Sequence, residues 1–265
     1  MLKDKVFVVT GGGNGIGREV VLQLLKSDAK VAALDISEKG LLETSTLSGD
    51  NASLKTYSLD ITNQEKVHET HQQITKDFGH IDGLIHVAGI IQPFVKVMDL
   101  EIKTIKKVID VNFYGTVYLN QIFLPTLLKR EKAYLVNVSS MGGFLPVPGQ
   151  AVYGASKAAV KLLTEALYAE LKGTNVNVTL VFPGAINTNI IKNSNVDMGK
   201  EVDSSDPKHK MMSPFDAAKE IIKAMQKKKL HAYVGTDSKI MNKLNRLAPQ
   251  KSTDLIAKKM ADLIK

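Results

Sequence analysis

The chain has 265 residues, 44% hydrophobic and 23% charged, proportions ordinary for a soluble globular protein and ample for one large domain with a buried core. It contains no cysteine, which excludes disulfides and thiolate metal sites, and no metal ligands are assigned. The formal net charge of +8 sits in the last fifth: residues 208–265 carry 14 Lys+Arg against 5 Asp+Glu, and residues 1–207 carry 21 against 22.

That distribution argues against nucleic acid, because no aromatic-interleaved or base-reading motif accompanies the basic residues. Lys227-Lys228-Lys229 reads as the solvated end of a helix, where cations oppose the negative end of the dipole; a face for an acidic partner or an anionic membrane is the alternative. The opening MLKDKVFVVTGGG is charged from its third residue, and its apolar run is too short for a signal peptide or a membrane span. A cytoplasmic location is the expectation.

Taken in chain order, "VFVVT" is a β-branched, fully apolar run of the kind that forms a buried parallel strand. A Gly-rich turn follows, then "REVVLQLLKS" with helical periodicity, the strand "KVAALD" and the short helix "EKGLLETSTLS". "SLKTYSL" is the third strand, residues 63–78 a polar helix, and "IDGLIHVAG" the fourth strand with a glycine exit. One long helix is predicted over roughly 101–130, perturbed by Gly115 and Pro125. "AYLVNVSS", a helix over 152–172 and "NVNVTLVFPG" continue the alternation. Residues 189–212 are polar and irregular, and read as a functional lid or a disordered loop. A helix near 214–228, the strand "HAYVG" and an amphipathic tail from about 238 finish the chain. Strands alternating with helices at these lengths call for right-handed crossovers and a parallel sheet covered on both faces, in one domain of the α/β class.

"TGGGNGIG", residues 10–17, begins on a strand and ends in a helix. Gly11, Gly15 and Gly17 suit a tight turn, close approach of backbone to a pyrophosphate, and close helix–sheet packing, with the helix N-terminus facing the negative charge. Asp35 ends the second strand, 18 residues past Gly17. A carboxylate there can accept from both ribose hydroxyls and repels a 2′-phosphate, which favours NAD over NADP; capping the next helix is its plainer role. Asn14, where a cation could hold a 2′-phosphate, points the same way. Asp60 is placed to meet an adenine together with Ile61, or to cap the helix that follows, or both.

Downstream stand VAG at 87–89, Asn112, "NVSS" at 137–140, YGASK at 153–157 and PGAINT at 183–188. With TGGGNGIG and Asp60, in this order and spacing, the sequence resembles the short-chain dehydrogenase/reductase family over essentially its whole length. The resemblance implies a single doubly wound, Rossmann-type domain with a seven-stranded parallel sheet, NAD(P) bound across the strand C-termini, and alcohol–carbonyl interconversion. It implies a catalytic set of Asn112, Ser140, Tyr153 and Lys157. Tyr153 and Lys157 lie one helical turn apart, so both emerge on one face. A phenol of pKa about 10 is a poor base at neutral pH, and an ammonium beside it stabilises the phenolate. Ser140, 13 residues before Tyr153, matches the family's substrate-polarising serine in preference to Ser139. Asn112 matches an asparagine that distorts its helix and holds a water linking the lysine to solvent. The cofactor set comprises Gly11, Asn14, Gly15, Ile16, Gly17, Asp35, Ile36, Asp60, Ile61, Val87, Ala88, Gly89, Tyr153, Lys157, Pro183, Ile186 and Thr188. HVAG at 86–89 departs from the family's two asparagines before Ala-Gly, so hydrogen bonds that steady this strand are expected to be lost, with His86 a core histidine.

"MGGFLPVPGQAV" and "IIQPFVKV" flank the expected substrate side and are mostly apolar, with Gln150 the main polar side chain and Lys96 the one nearby cation. Ser140, Gln150 and Tyr153 are therefore expected to meet a neutral, lipophilic secondary alcohol or ketone. In the tail, apolar residues recur at helical spacing on either side of Pro249, suiting packing on the chain's own body or a neighbour ahead of membrane-surface contact. Members of the family pair through helices matching 101–130 and 152–172, so a homodimer or homotetramer is expected. A dinucleotide-sensing or scaffold protein on the same fold is the alternative, although a sensor needs no proton-transfer group. A methyltransferase with a similar turn has no use for the Tyr–Lys pair.

Overall fold

The computed structural model describes residues 2–188, 190, 194 and 211–261. Seven strands form one sheet: β1 Val6–Thr10, β2 Lys30–Asp35, β3 Leu54–Ser58, β4 Gly83–His86, β5 Ala133–Val138, β6 Val176–Pro183 and β7 His231–Val234. Their spatial order is β3-β2-β1-β4-β5-β6-β7 and every pairing is parallel. This is the doubly wound α/β architecture expected from the sequence. Inside the sheet, alternate residues serve opposite faces. Phe7, Val9, Val31, Ala33 and Ile85 join one apolar layer; Val8, Ala32, Leu34 and Leu84 join the other.

Helices cover both layers. α1 Gly15–Leu25, with Val20, Val21, Leu24 and Leu25 inward, packs beside a helix at Pro214–Gln226 that contributes Ala217, Ala218, Ile221 and Met225. On the far face, α3 Gln64–Phe78 inserts Val67 and Ile74. α2 is Glu38–Leu47, and its cap is Ser37, whose hydroxyl accepts from Gly40 N at 3.1 Å. Asn63 caps α3 in the same way.

The single long helix predicted over 101–130 is instead three pieces. α4 Ile102–Ile109 runs into a wider π turn at Asp110–Tyr114, and α5 Gly115–Leu127 continues with Pro125 inside its last turn. The break centres on Asn112, because its side-chain amide is drawn out of the helix to the strand exit at Ile90, and an inserted residue in the turn accommodates it. α6 Ala151–Glu170 follows β5, α7 is the Pro214–Gln226 helix, and the tail forms α8 Thr236–Leu247 and α9 Pro249–Lys259, divided at Pro249 as expected. Lys227, Lys228 and Lys229 are exposed just past α7. The segment 189–212, read from the sequence as a lid or a disordered loop, lies almost wholly outside the described residues; at its end Met212 bridges to Ile186. Among the described residues, no helix is long and apolar enough to cross a membrane.

Ends of strands away from the site are tied by Asp82. Its buried carboxylate accepts from Val6 N at 2.9 Å and from Arg130 Nε at 3.0 Å, with His80 Nε2 at 3.2 Å. Asp82→Ala leaves these donors unmatched, and hydrogen bonds to a charged group are worth about 1.5–3 kcal/mol each. A urea melt should show a loss in that range, with cofactor affinity unaffected; an unchanged midpoint would contradict the anchoring role.

Candidate active site

The chain order reverses between β1 and β4, so the turns leaving these neighbours diverge to opposite faces and leave a crevice at the strand C-termini, where open α/β sheets bind ligands. The crevice encloses about 1160 Å³ including its open mouth. Gly11, Asn14, Gly15, Ile16 and Gly17 line it from the first turn, Asp35 and Ile36 from β2, Asp60 and Ile61 from β3, and Val87, Ala88 and Gly89 from β4, with Thr188 across from them. The sequence-predicted cofactor residues are thus brought together, apart from four. Pro183 closes the end of β6, Ile186 is bridged to Met212, and Tyr153 and Lys157 are not part of the crevice lining, although Lys157 Nζ lies beside Gly89, which is.

Close packing makes the turn. A methyl group on Gly17 would land on the carbonyl oxygen of Gly11, so only glycine lets α1 sit this near the sheet. Gly11 itself has φ +71°, with Ala88 N 3.0 Å from where its Cβ would stand. Asp35 steadies the loop from the side: one oxygen accepts from Gly13 N at 2.9 Å and the other from Ser37 N at 2.9 Å. Its alternative role as a helix cap is taken by Ser37. Asp60 likewise is no cap, because Asn63 is; it folds its own turn by accepting from Thr62 N and Thr62 Oγ1 at 2.9 and 2.7 Å.

Past Gly89 the polar groups converge. A Cβ at Gly89 would stand 3.0 Å from Lys157 Nζ and 3.1 Å from Asn112 Oδ1. Asn112 Oδ1 accepts from Ile90 N at 2.9 Å, while its Nδ2 donates to Ile90 O and to Ser156 Oγ at 2.9 and 3.0 Å. Lys157 Nζ donates to Val138 O at 3.1 Å, and burial lowers its pKa to about 8. Burial pushes the Tyr153 phenol up, and a hydrogen bond with the Ser140 hydroxyl opposes this. Of the two hydroxyls in NVSS, Ser139 is buried and donates to Lys157 O at 2.7 Å, leaving Ser140 beside the phenol, as the spacing indicated. Desolvation is the larger influence on both groups.

Two further expectations change. His86 does not weaken its strand. Its Nδ1 bonds Thr10 Oγ1 at 2.7 Å, and Thr10 Oγ1 accepts from Val87 N and Ala88 N. Its Nε2 bonds Thr116 Oγ1 at 2.9 Å, and that hydroxyl donates to Asn112 O at 2.6 Å. Thr116 therefore accepts from Nε2–H, which assigns the neutral tautomer; burial, aided by the Lys157 charge, lowers the imidazole pKa to about 3. An imidazole thus replaces the missing asparagine bonds and connects β1, β4 and the π turn. Gln150, read as the polar substrate contact, is buried and donates through Nε2 to Gln92 O at 2.7 Å, so its amide faces the 92 loop.

Several residues escaped the sequence reading. Lys107, Ile90 and Val111 also line the crevice. Arg18 lies beneath the Gly-rich turn, bonded to Gly13 O, Gly40 O, Thr44 Oγ1 and Glu43 Oε2, so it clamps α2 to the turn. Gln92 was passed over, although a lone amide inside the apolar run IIQPF was a signal. The tail reaches the site too: Ser238 Oγ donates to Phe182 O, Asp237 Oδ2 accepts from Ala185 N, and Asn245 Nδ2 donates to Phe144 O. Among the described residues no cluster of His, Asp and Glu could hold a metal ion.

Comparison with known proteins agrees with this geometry. A family model for short chain dehydrogenase matches residues 5–199. SadH of Mycobacterium tuberculosis, named as an oxidoreductase, is 34% identical over 262 residues, spanning 96% of this chain and 95% of SadH. A short chain dehydrogenase/reductase from Burkholderia phymatum, solved in complex with NAD, superposes with TM-score 0.82 at 24% identity, covering 93% of this chain and 95% of its own. A short chain dehydrogenase from Burkholderia cenocepacia, in complex with NADP, gives TM-score 0.81 at 25% identity over 97% and 98%. With the Gly-rich turn and the Ser140–Tyr153–Lys157 group gathered at one sheet end, and a family match over most of the chain, this protein belongs to the short-chain dehydrogenase family.

Proposed function

We propose that the chain is an NAD-dependent oxidoreductase that interconverts a neutral, lipophilic secondary alcohol and its ketone. The observation that carries this reading is a convergence: the Ser140 hydroxyl and the Tyr153 ring both lie 3.5 Å from where a Cβ on Gly142 would stand, and Lys157 Nζ and Asn112 Oδ1 meet beside Gly89, which lines the crevice. Nicotinamide supplies the hydride chemistry when bound. For this chain's residues, Gly11 to Gly17 cradle the pyrophosphate, Asp35 meets the ribose, and Thr188 stands over Gly15 to close the nicotinamide side. Ser140 polarises the substrate oxygen and Tyr153 takes or returns its proton, with Lys157 holding the developing phenolate by charge. Asn112, fixed through both its amide atoms, keeps the 90 loop in place beside Lys157.

Two apolar stretches meet over this group: Gly149 packs on the Phe94 backbone, and Gln92 Nε2 donates to Gly149 O at 2.9 Å. Among the described residues neither of these two stretches carries a buried charged side chain, which supports a lipophilic substrate. A screen of alcohols and ketones, following absorbance of the reduced cofactor, tests the reaction class; no turnover of any secondary alcohol or ketone would sink it. The same catalytic unit is expected to assemble as a homodimer or homotetramer, as the exposed apolar Ile102, Tyr114 and Leu162 on the α4–α6 side suggest.

Cofactor preference follows from Asp35. Its carboxylate is held in place by two backbone N–H groups at the crevice, so a 2′-phosphate would meet a fixed like charge. NAD(H) should bind about tenfold or more tighter than NADP(H), and Asp35→Ala should narrow the gap. Fluorescence titration of both cofactors decides it, and equal parent affinities would remove the role given to Asp35.

A further inference from the structure

A helix presents unpaired N–H groups in its first turn, and a cap or an acidic side chain ordinarily meets them. α6, which carries Tyr153 in that first turn, has neither: Gln150 precedes it without a side-chain cap bond, and no acidic residue follows. The partner comes from 60 residues upstream. Gln92 is fully buried, and its Oε1 accepts from Val152 N and from Tyr153 N, both at 2.9 Å. Its Nε2 donates to Gly149 O at 2.9 Å, and its backbone carbonyl accepts from Gln150 Nε2 at 2.7 Å. Every polar group of Gln92's side chain is thus committed to the entry of one helix.

The other side of this link is equally fixed. Two residues before Gln92, Ile90 is held through both backbone groups by Asn112. One residue earlier, Gly89 lines the dinucleotide crevice. The path from crevice wall to acid/base is therefore Gly89, Ile90 clamped by Asn112, Gln92, and the backbone of Tyr153 itself. We infer that Gln92 is a positioning residue for catalysis: it caps α6 across the cleft and sets the height and angle of the Tyr153 phenol relative to the cofactor crevice. The inference rests on the reading of Tyr153 as the acid/base. A small misplacement of a reacting group costs much rate, so an effect on turnover is expected without an effect on cofactor affinity.

The test compares the full-length parent with Tyr153→Phe, Gln92→Leu and Gln92→Glu, using cyclohexanol and NAD as the assay pair and hydrogen exchange to read the amides at 152 and 153. Gln92→Leu has similar bulk but no acceptor, so kcat should fall about tenfold or more while the KM for NAD stays within about twofold. The two amides should exchange about tenfold faster or more. Gln92→Glu keeps the acceptor at the helix N-terminus, so much of the amide protection and of kcat should return. Its carboxylate, bonded to the backbone N–H of Tyr153, disfavours the phenolate of that same residue, so the alkaline limb of the kcat profile should move up by about half a pH unit or more. A merely structural role would lower the melting temperature and leave that limb in place. Should Gln92→Leu fail to fold, the Gln92→Glu profile decides alone. Parental kcat, exchange and pH limb in the folded Gln92 variants, with Tyr153→Phe inactive, overturn the positioning role and leave the mechanism standing. A fully active Tyr153→Phe overturns both.

Discussion

Tyr153→Phe should lower kcat by about 10²–10⁴-fold, the usual contribution of a positioned proton donor and acceptor, while the NADH dissociation constant stays near that of the parent. The reason lies in how the side chain is held. The ring is half-buried, and removing one oxygen leaves its packing intact, while the Ser140 hydroxyl keeps the bond it accepts from Gly142 N at 3.0 Å. Lys157→Ala should act more broadly. It removes the one buried cation at this group among the described residues, whose pKa of about 8 leaves it mostly charged at neutral pH. Without that charge the phenolate is less favoured, so the rising limb of alcohol oxidation should shift to higher pH. Lys157→Arg should rescue poorly: Nζ fits between Val138 O and the space over Gly89, where a planar guanidinium places its charge differently. Stopped-flow absorbance across pH, paired with cofactor titration, measures all three. Near-parental turnover by Tyr153→Phe would mean that YGASK is only a helix.

Gly17→Ala is expected to weaken dinucleotide binding through the backbone. The added methyl would meet the carbonyl group of Gly11 and also approach Thr10 O to 3.2 Å, and neither can swing aside as a flexible side chain would. Helix α1 must lift from β1, which breaks the turn lined by Asn14, Gly15 and Ile16 and disturbs Arg18 beneath it. Overpacking of this kind costs about 1–3 kcal/mol or more, so the melting temperature should fall and cofactor affinity should drop by about a hundredfold. Differential scanning calorimetry with and without NADH reads both effects. A variant that binds NADH normally would show that the close approach of α1 is dispensable.

Read from the chain alone, the legible features were those governed by neighbours in sequence. VFVVT and KVAALD announce buried strands because a continuous β-branched run suits a sheet covered on both faces, and the structure pairs them in register from Val6 with Lys30. The Gly-rich turn is legible because its steric demand is local. Tyr153 and Lys157 are legible because four residues make one turn. The seven-stranded parallel sheet follows from the alternation of elements together with the family pattern. In NVSS the spacing of thirteen residues points to Ser140, and the structure turns Ser139 to Lys157 O while Ser140 lies beside Tyr153.

What only the tertiary structure decided concerns partners remote in the chain and the dielectric around them. Nothing near His86 in sequence says that Thr10 and Thr116 receive its two nitrogens, 76 and 30 residues away. Gln92 and Tyr153 are 61 residues apart, and their bond exists because the chain leaving β4 and the start of α6 meet at the same corner. The π turn at Asn112 arises from a pull exerted by the Ile90 backbone, a force outside the helix that contains it. Lys157 illustrates the last difference. Its identity as an ammonium one turn from a phenol is written in YGASK, but its pKa near 8 comes from the walls built around it by β4, β5 and the π turn. Residue types and their spacing specify which groups are available; long-range packing, by excluding water and supplying distant hydrogen-bond partners, specifies how each is held and charged.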